Sequence, residues 1–260
     1  MSKEVFIGID IATSNLRAVA IDITGTPVAR ASEPIAPVIK GDDKSATQDS
    51  KSWIRSVDKV LTQLCKELGE KGLTPQSLLI SATSGTFVLC NQDGAPIADA
   101  IMYNDGRAND PLARAAKVIE SSNKSGPVYF ANTPEFVIAH LSDQPLSRLP
   151  TDTSHGLKMG VDFESKDYLA TTKEIAASLN ITLPKVVLPG TKIATISNQI
   201  GKIRYSTNSN LRRNDRWLHR ADRSRRCHWL CYLPRHNHGD QGSCRYQYLR
   251  RWLLLPPFAK

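Results

Sequence analysis

The chain has 260 residues, of which 40% are hydrophobic and 23% are charged. This balance is typical of a chain that folds around a core, and it excludes a largely disordered protein. The length allows one large domain or two small ones. The formal net charge of +9 would favour a nucleic-acid or membrane partner if it were spread along the chain.

The charge is confined to one end. Residues 1–207 contain 22 basic and 22 acidic residues, whereas residues 208–260 contain 12 basic and 3 acidic ones, a difference of 9 that equals the whole excess. Arg replaces Lys in the second part, with 11 Arg and one Lys. We therefore predict a domain over residues 1–207 and an irregular, poorly ordered basic tail over residues 208–260.

The amino-terminal residues contain no apolar run of the length that a signal peptide or a membrane span needs. We therefore expect a cytoplasmic protein without a membrane partner. Cys65 and Cys90 are isolated in apolar surroundings, which indicates reduced core residues.

The first predicted elements are strands over residues 5–10, 16–23 and from 28 onward, joined by tight turns as an antiparallel meander. A helix over residues 50–70 follows, with its apolar residues at helical spacing and Asp49 or Ser50 as its cap. Short strands at 78–81, 86–90 and 101–103 and a helix at 111–120 come next. This order predicts a mixed α/β sheet.

Asp10 ends a buried strand and is followed by Thr13 and Ser14 in a tight turn. A carboxylate and hydroxyls placed in this way suit magnesium and phosphate, because the oxygen atoms can hold the metal and the turn can donate to phosphate. An ordinary hairpin has the same pattern, and spacing alone leaves both interpretations open.

Four segments resemble FGGY-family carbohydrate kinases, in the family's order. GIDIATSNLRAVAID resembles the opening phosphate hairpin, and TQDSKSWI resembles the segment before the first helix. ISATSGTFVLCNQDG and MYNDGRA resemble the two segments that line the sugar side of the family's cleft. The patterns are most similar to the xylulose and ribulose kinase branch.

The resemblance implies a ribonuclease H-like fold of the actin and hexokinase type, with ATP and Mg²⁺ as cofactors and a small sugar, a pentulose such as D-ribulose or D-xylulose, as partner. It gives Asp10, Thr13 and Ser14 the phosphate and magnesium role, with Asp10 holding the metal through water. The sugar contact falls on Ser84, with Thr83, Asn104 and Asp105 as further candidates.

The chain departs from the family pattern in two places. Ala12 stands where the hairpin has a glycine, and an added methyl group can hinder the approach of a phosphate. SHGLKMGVDFES, which resembles the family's NALKLGYDP segment, follows the preceding segment too soon. We therefore expect an internal deletion near residues 143–155.

The basic tail admits three interpretations. A nucleic-acid site and a zinc site are two of them, but the cysteine and histidine spacing matches no paired zinc pattern. The third is a shift of reading frame. Allowed codons for residues 211–220, read one nucleotide out of register, encode YAGTTDGCI, which is similar to the family's general-base motif. Two later segments give family-like sequence in the same frame.

We therefore predict a frameshift near residues 204–208, no nucleic-acid partner and no general base in frame, since Asp215 does not occupy that position. The predicted protein is a sugar-binding lobe with negligible kinase activity. The alternatives are an active sugar kinase and a sugar-binding or basic interaction protein that reuses the lobe.

Overall fold

The computed structural model describes residues 3–122, 126–142, 144–196 and the backbone of 230–232. Its first sheet begins with the predicted meander, which is confirmed: β1 (Glu4–Ile11), β2 (Asn15–Asp22) and β3 (Pro27–Pro34) pair antiparallel. Apolar side chains alternate along β1, so one face of the strand is buried.

The helix α1 (Ser50–Glu70) has the predicted bounds. Asp49 is its N-cap, and the Asp49 carboxylate accepts a hydrogen bond from the backbone N–H of Lys51 at 2.9 Å. The apolar face of α1 packs on the first sheet through fully buried side chains, among them Val57, Val60 and Leu64. Burial of this face, rather than helix propensity alone, holds the helix in place.

Strand β6 (Thr74–Ala82) follows α1 and pairs parallel with β1. It is longer than the predicted strand at 78–81. Of the predicted tail, the described backbone comprises β15 (Leu230–Tyr232), which pairs parallel with β6 and gives the sheet order β15-β6-β1-β2-β3. The disorder predicted for the other tail residues falls outside the described residues.

A second sheet has the order β13-β9-β7-β8-β5-β4. Its strands are β4 (Ile39–Lys40), β5 (Ala46–Gln48), β7 (Phe87–Cys90), β8 (Ala100–Ile101), β9 (Val128–Asn132) and β13 (Ile181–Thr182). Phe87 and Phe130 stack in its core with their ring centroids 4.2 Å apart. The predicted strand at 101–103 begins one residue earlier and ends at Ile101.

Helices and short strands complete the second half. The helices are α2 (Pro111–Ser122), α3 (Thr133–Ser142), α4 (Thr153–Gly156) and α5 (Ala170–Ser178), with 3₁₀ turns at Leu146–Arg148 and Leu157–Met159. The remaining strands are β10 (Thr151–Asp152), β11 (Val161–Asp162), β12 (Asp167–Tyr168) and β14 (Val186–Val187). No helix in the described part of the chain is both long and apolar enough to span a bilayer.

Candidate functional site

Two of the predicted motifs meet at one edge of the first sheet. Strands β1 and β6 run parallel, with Asp10 opposite Ser81 and Ile11 opposite Ala82. Both strands end there, so the turn after β1 and the turn after β6 are neighbours. The turn after β1, which contains Thr13 and Ser14, is the predicted phosphate turn, and the turn after β6, which contains Thr83 and Ser84, is the predicted sugar turn. The structure therefore brings these two turns together.

A small cavity of about 10 Å³ lies between these turns, room for on the order of one water molecule. Its lining includes four threonines: Thr13 and Thr83, one from each turn, and also Thr86 and Thr133. The other lining residues are Ile11, Ala12, Gln48, Trp53 and Met102. Hydroxyl groups around an apolar floor are the chemistry by which proteins bind small polar molecules.

Gln48 holds the phosphate turn in place, a role that the sequence did not indicate. Its buried side-chain amide donates to the carbonyl oxygen of Thr13 at 2.8 Å and also to that of Ala36. Its Oε1 accepts a hydrogen bond from the indole nitrogen of Trp53 at 2.8 Å. The segment TQDSKSW thus supplies the support for the turn as well as the start of α1.

The sugar turn depends on a glycine. Gly85 has a φ of +83°, a backbone conformation that disfavours any residue with a side chain. A Cβ there would lie 2.9 Å from Cδ of the flexible Lys158 side chain, which would have to move aside. Ser84 Oγ donates to the carbonyl oxygen of Ser154 across a long contact of 3.4 Å. The exposed Lys158 therefore lies against the turn, a cation beside the site that sequence reasoning missed.

Asn104 and Asp105 have different environments. Asn104 is exposed, whereas the Asp105 side chain is fully buried and forms an ion pair with Arg107 at 2.8 Å. Asp105 also accepts from the backbone N–H of Ala46 at 2.8 Å. Burial acts to raise the pKa of Asp105, but the hydrogen bonds from Arg107 and from the backbone of Ala46, together with the charge of Arg107, outweigh it and the pKa is lowered. Asp105 therefore anchors its loop to β5.

A second polar group lies beneath the sugar turn and was not predicted. It consists of Glu135, Asp152 and His155, which we call the buried triad, and each side chain is almost completely buried. Nδ1 of His155 and Oδ2 of Asp152 are 2.9 Å apart. Nothing in the local sequence marks the triad, because Glu135 and Asp152 are far apart in the chain.

The three members of the buried triad influence each other's protonation. Burial raises the pKa of Glu135 to about 7. Burial acts to lower the pKa of His155, but the hydrogen bond and charge of Asp152 outweigh it and the pKa is raised. Burial acts to raise the pKa of Asp152, yet the charge and hydrogen bonds of His155 keep it lowered. Asp152 and His155 therefore form a buried ion pair.

The phosphate turn carries oxygen atoms of the kind that Mg²⁺ binds. Asp10 and Thr13 are half-buried and Ser14 is exposed, so a carboxylate and two hydroxyls stand at one strand end, the oxygen ligands that Mg²⁺ prefers. Among the described residues other than glycine, positive φ occurs at Lys44, Lys166 and Asn180. The backbone conformation at position 12 therefore does not require a glycine, and the turn fits Mg²⁺ and a phosphate.

The structural comparisons identify the class of fold. Xylulose kinase from Lactobacillus acidophilus superposes with a TM-score of 0.64 at 18% identity, over 78% of this chain and 46% of that one. Glycerol kinase from Plasmodium falciparum, solved with ADP, gives a TM-score of 0.63 at 12% identity, over 76% and 46%. The chain therefore has the fold of the sugar kinases, a mixed α/β architecture as predicted.

The sequence comparisons are more specific. A model of the FGGY family of carbohydrate kinases, N-terminal domain, matches residues 5–138. Xylulose kinase from Staphylococcus epidermidis is 26% identical over 107 residues, 41% of this chain and 21% of that protein. Erythritol kinase from Brucella abortus is 31% identical over 119 residues, 44% of this chain and 22% of that protein.

The chain belongs to the FGGY family of carbohydrate kinases, which confirms the resemblance. The match lies in the family's N-terminal domain. It spans about a fifth of the length of these two relatives.

Proposed function

We propose that the described residues form the sugar-binding lobe of an ATP-dependent carbohydrate kinase whose substrate is a pentulose, D-xylulose or D-ribulose. The observation that carries the proposal is the cavity between the phosphate turn and the sugar turn, lined by Thr13 and Thr83. A sugar bound over the two turns could place one hydroxyl group in this cavity, beside the phosphate turn. The xylulose kinases among the relatives support the pentulose.

Asp10, Thr13 and Ser14 would hold magnesium and the phosphates. The bound metal would supply positive charge that offsets the charge of the transferred phosphoryl group. The residues of the chain would orient the metal and the phosphates. Asp10 would do so through its carboxylate, and Thr13 and Ser14 through their hydroxyl groups. Gln48 keeps this turn from moving, since it binds the carbonyl oxygen of Thr13.

Ser84 and Thr83 would contact the sugar. Thr86 links their turn to the neighbouring loop, because its hydroxyl accepts a hydrogen bond from the backbone N–H of Tyr103 at 3.2 Å. Asp105 would act indirectly by fastening that loop, while Asn104 is exposed and free to move toward a sugar. ATP and sugar metabolism are consistent with a cytoplasmic location.

We further propose that this chain binds sugar without phosphorylating it. The sequence contains no GTTDG segment that would supply the carboxylate base. Synonymous codons allowed for residues 211–220 can encode one in a shifted frame. Loss of a general base lowers a rate by about 10²–10⁴-fold. Sequencing the gene tests the frame: codons whose alternate frame lacks GTTDG would refute the shift.

Binding and turnover can be measured on the same full chain. Calorimetric titration with D-xylulose and D-ribulose should show heat of binding for the wild type and at least about tenfold weaker binding for Ser84→Ala, which lacks the hydroxyl. Ser32→Ala, exposed on β3, is the matched control and should bind as the wild type does.

An ATP consumption assay with the same sugars should show no sugar-dependent turnover. Clear turnover would refute the proposed inactivity and leave the sugar site standing. Absence of binding to either sugar, or equal binding by Ser84→Ala, would refute the sugar site.

A further inference from the structure

A short helical segment runs along the sugar turn. Helix α4 continues directly into the 3₁₀ turn that contains Lys158, so Ser154 and Lys158, four residues apart, lie on one side of the segment. The carbonyl oxygen of Ser154 accepts the hydroxyl of Ser84 at 3.4 Å. Cδ of Lys158 lies 2.9 Å from the position that a Cβ on Gly85 would take. The segment therefore contacts two successive residues of the sugar turn, and Lys158 lies over the second.

The ammonium group of Lys158 is open to a ligand. The side chain is exposed, and the ion pairs among the described residues do not include it. Long basic side chains commonly pack their apolar stem on the protein and keep the charge in water. Lys158 does this with its stem against Gly85, which leaves a solvated cation next to the turn that contains Ser84.

The loop on the other side of Gly85 adds positive charge. Cβ of Tyr103 lies 3.6 Å from the same position over Gly85, so Lys158 and Tyr103 flank the glycine. The guanidinium group of Arg114 donates to the carbonyl oxygens of Tyr103 at 3.3 Å and Ala108 at 2.8 Å. Carbonyl oxygens carry no net charge, so the positive charge of Arg114 stays uncancelled beside the turn.

The charges around the sugar turn do not balance. Residues 103–117 contain three basic and two acidic residues, and Lys158 adds a further positive charge. Asp105 is neutralised by its ion pair with Arg107, and Asp110 accepts a backbone N–H at the start of α2. The surface around the sugar turn is therefore positively charged, and such a surface attracts anions.

We propose that Lys158 is a specificity-determining residue, through which the site binds sugar acids, sugars with a terminal carboxylate, more tightly than neutral pentuloses. This inference rests on the proposed sugar site and adds a ligand class to it. With a hydroxyl group of the sugar at Ser84, the carboxylate would pair with the ammonium group of Lys158. Arg114 would add to the attraction from the opposite side of Gly85.

Two probes that differ only in charge test this proposal. D-Xylonate has a carboxylate where D-xylonamide has a neutral amide. In calorimetric titration of the full chain at pH 7.5 and low salt, D-xylonate should bind about fivefold more tightly than D-xylonamide or D-xylulose, the effect of one exposed ion pair. In about 0.5 M NaCl the preference should disappear, because salt screens exposed charges.

Variants of Lys158 assign the preference to its charge. Lys158→Met keeps a stem against Gly85 and should bind D-xylonate and D-xylonamide equally, whereas Lys158→Arg should retain the preference. Lys66→Met is the matched control and should behave as the wild type. Lys66 is exposed on α1, the helix that leads into the start of β6, whereas the sugar turn follows the end of that strand. Partial unfolding would weaken the binding of both probes alike, so their ratio reports the charge.

The outcomes separate this inference from the proposed function. The inference is overturned if the wild type binds D-xylonate no more tightly than D-xylonamide, a result that needs no variant, or if Lys158→Met keeps the preference. Binding of D-xylulose without any preference for D-xylonate refutes the inference and leaves the proposed function standing. Binding of D-xylonate alone, lost in Lys158→Met, supports the inference and refutes the pentulose as ligand. If no sugar binds, both are refuted.

Discussion

In the first sheet, α1 lays a continuous apolar face on alternating apolar side chains of β1, β2 and β6. In the region from β9 to β14, strands of mostly two residues are held by the buried triad and by Asn132, whose side-chain amide donates to Thr151 Oγ1 at 3.0 Å. The first region spreads its stability over many small contacts. The second has an apolar core of its own and adds a few buried polar contacts to it.

The difference has a physical consequence. Removing atoms from an apolar core costs in proportion to the volume lost. Removing one partner of a buried ion pair leaves the other charge without compensation, at a cost out of proportion to its size. The second region should therefore be the more sensitive to single substitutions and to pH.

The largest effect is expected from Asp152→Ala. It removes both the helix cap and the partner of His155, and we expect a loss of about 4 kcal/mol in the free energy of unfolding. Urea unfolding at pH 7 measures it. Asp152→Asn keeps an acceptor for the cap and should lose less. Equal losses in the two variants would show that the cap contributes nothing and that the charge of Asp152 accounts for the whole effect.

In the first region, Leu64→Ala should lower the free energy of unfolding by about 3 kcal/mol through the cavity it leaves beneath α1. Lys66→Ala, exposed on the same helix, should stay within about 0.5 kcal/mol of the wild type. Urea unfolding monitored by circular dichroism compares them. A smaller loss for Leu64→Ala than for Asp152→Asn would reinforce the contrast between the regions.

Glu135→Gln should stabilise the protein. Because burial raises the pKa of Glu135 to about 7, folding favours its protonated form, and stability falls as the pH rises from the ordinary glutamate pKa to that value. Gln mimics the protonated form, so the variant should match the wild type below pH 4.5 and exceed it by about 3 kcal/mol above pH 7. Thermal unfolding across this range measures the difference.

Glu174→Gln is the control for that experiment. Glu174 is exposed on α5, so the same change should leave the pH profile as it is in the wild type. A Glu135→Gln profile parallel to that of the wild type would mean that Glu135 is ionised without penalty in the folded state.

Sequence reasoning succeeded where the pattern is local and long. Helix α1 shows its apolar spacing over 21 residues, and the three meander strands alternate regularly, so their existence and order followed from periodicity. Strands of two residues such as β10 and β14 are too short for any period to show. Their pairing is defined by contacts between distant parts of the chain.

The candidate site divides in the same way. Asp10 and Thr13 could be selected because a carboxylate and a hydroxyl follow a strand closely in sequence. The support from Gln48 and the buried triad could not, since each depends on side chains that meet through folding. Lys158 likewise reaches Gly85 from a distant segment, and its charge alone is typical of any exposed lysine.

The smallest effect separates two roles of one residue at the start of α1. Asp49 caps the helix and also forms an exposed ion pair with Arg55 at 2.6 Å. Asp49→Ala should cost about 1 kcal/mol, whereas Asp49→Asn keeps the cap and should cost a few tenths, about the value of an exposed pair.

Acid titration checks this assignment. The hydrogen bond from Arg55 is the main cause of the lowered pKa of Asp49, so its contribution should be present above the ordinary aspartate pKa and lost as the pH falls through the folded value. In urea unfolding, the gap between the wild type and Asp49→Asn should therefore close in acid. If the two proteins still differ in acid, the ion pair is not the source of the difference. Even then, the effect would remain small beside that of Asp152, because water screens an exposed pair and not a buried one.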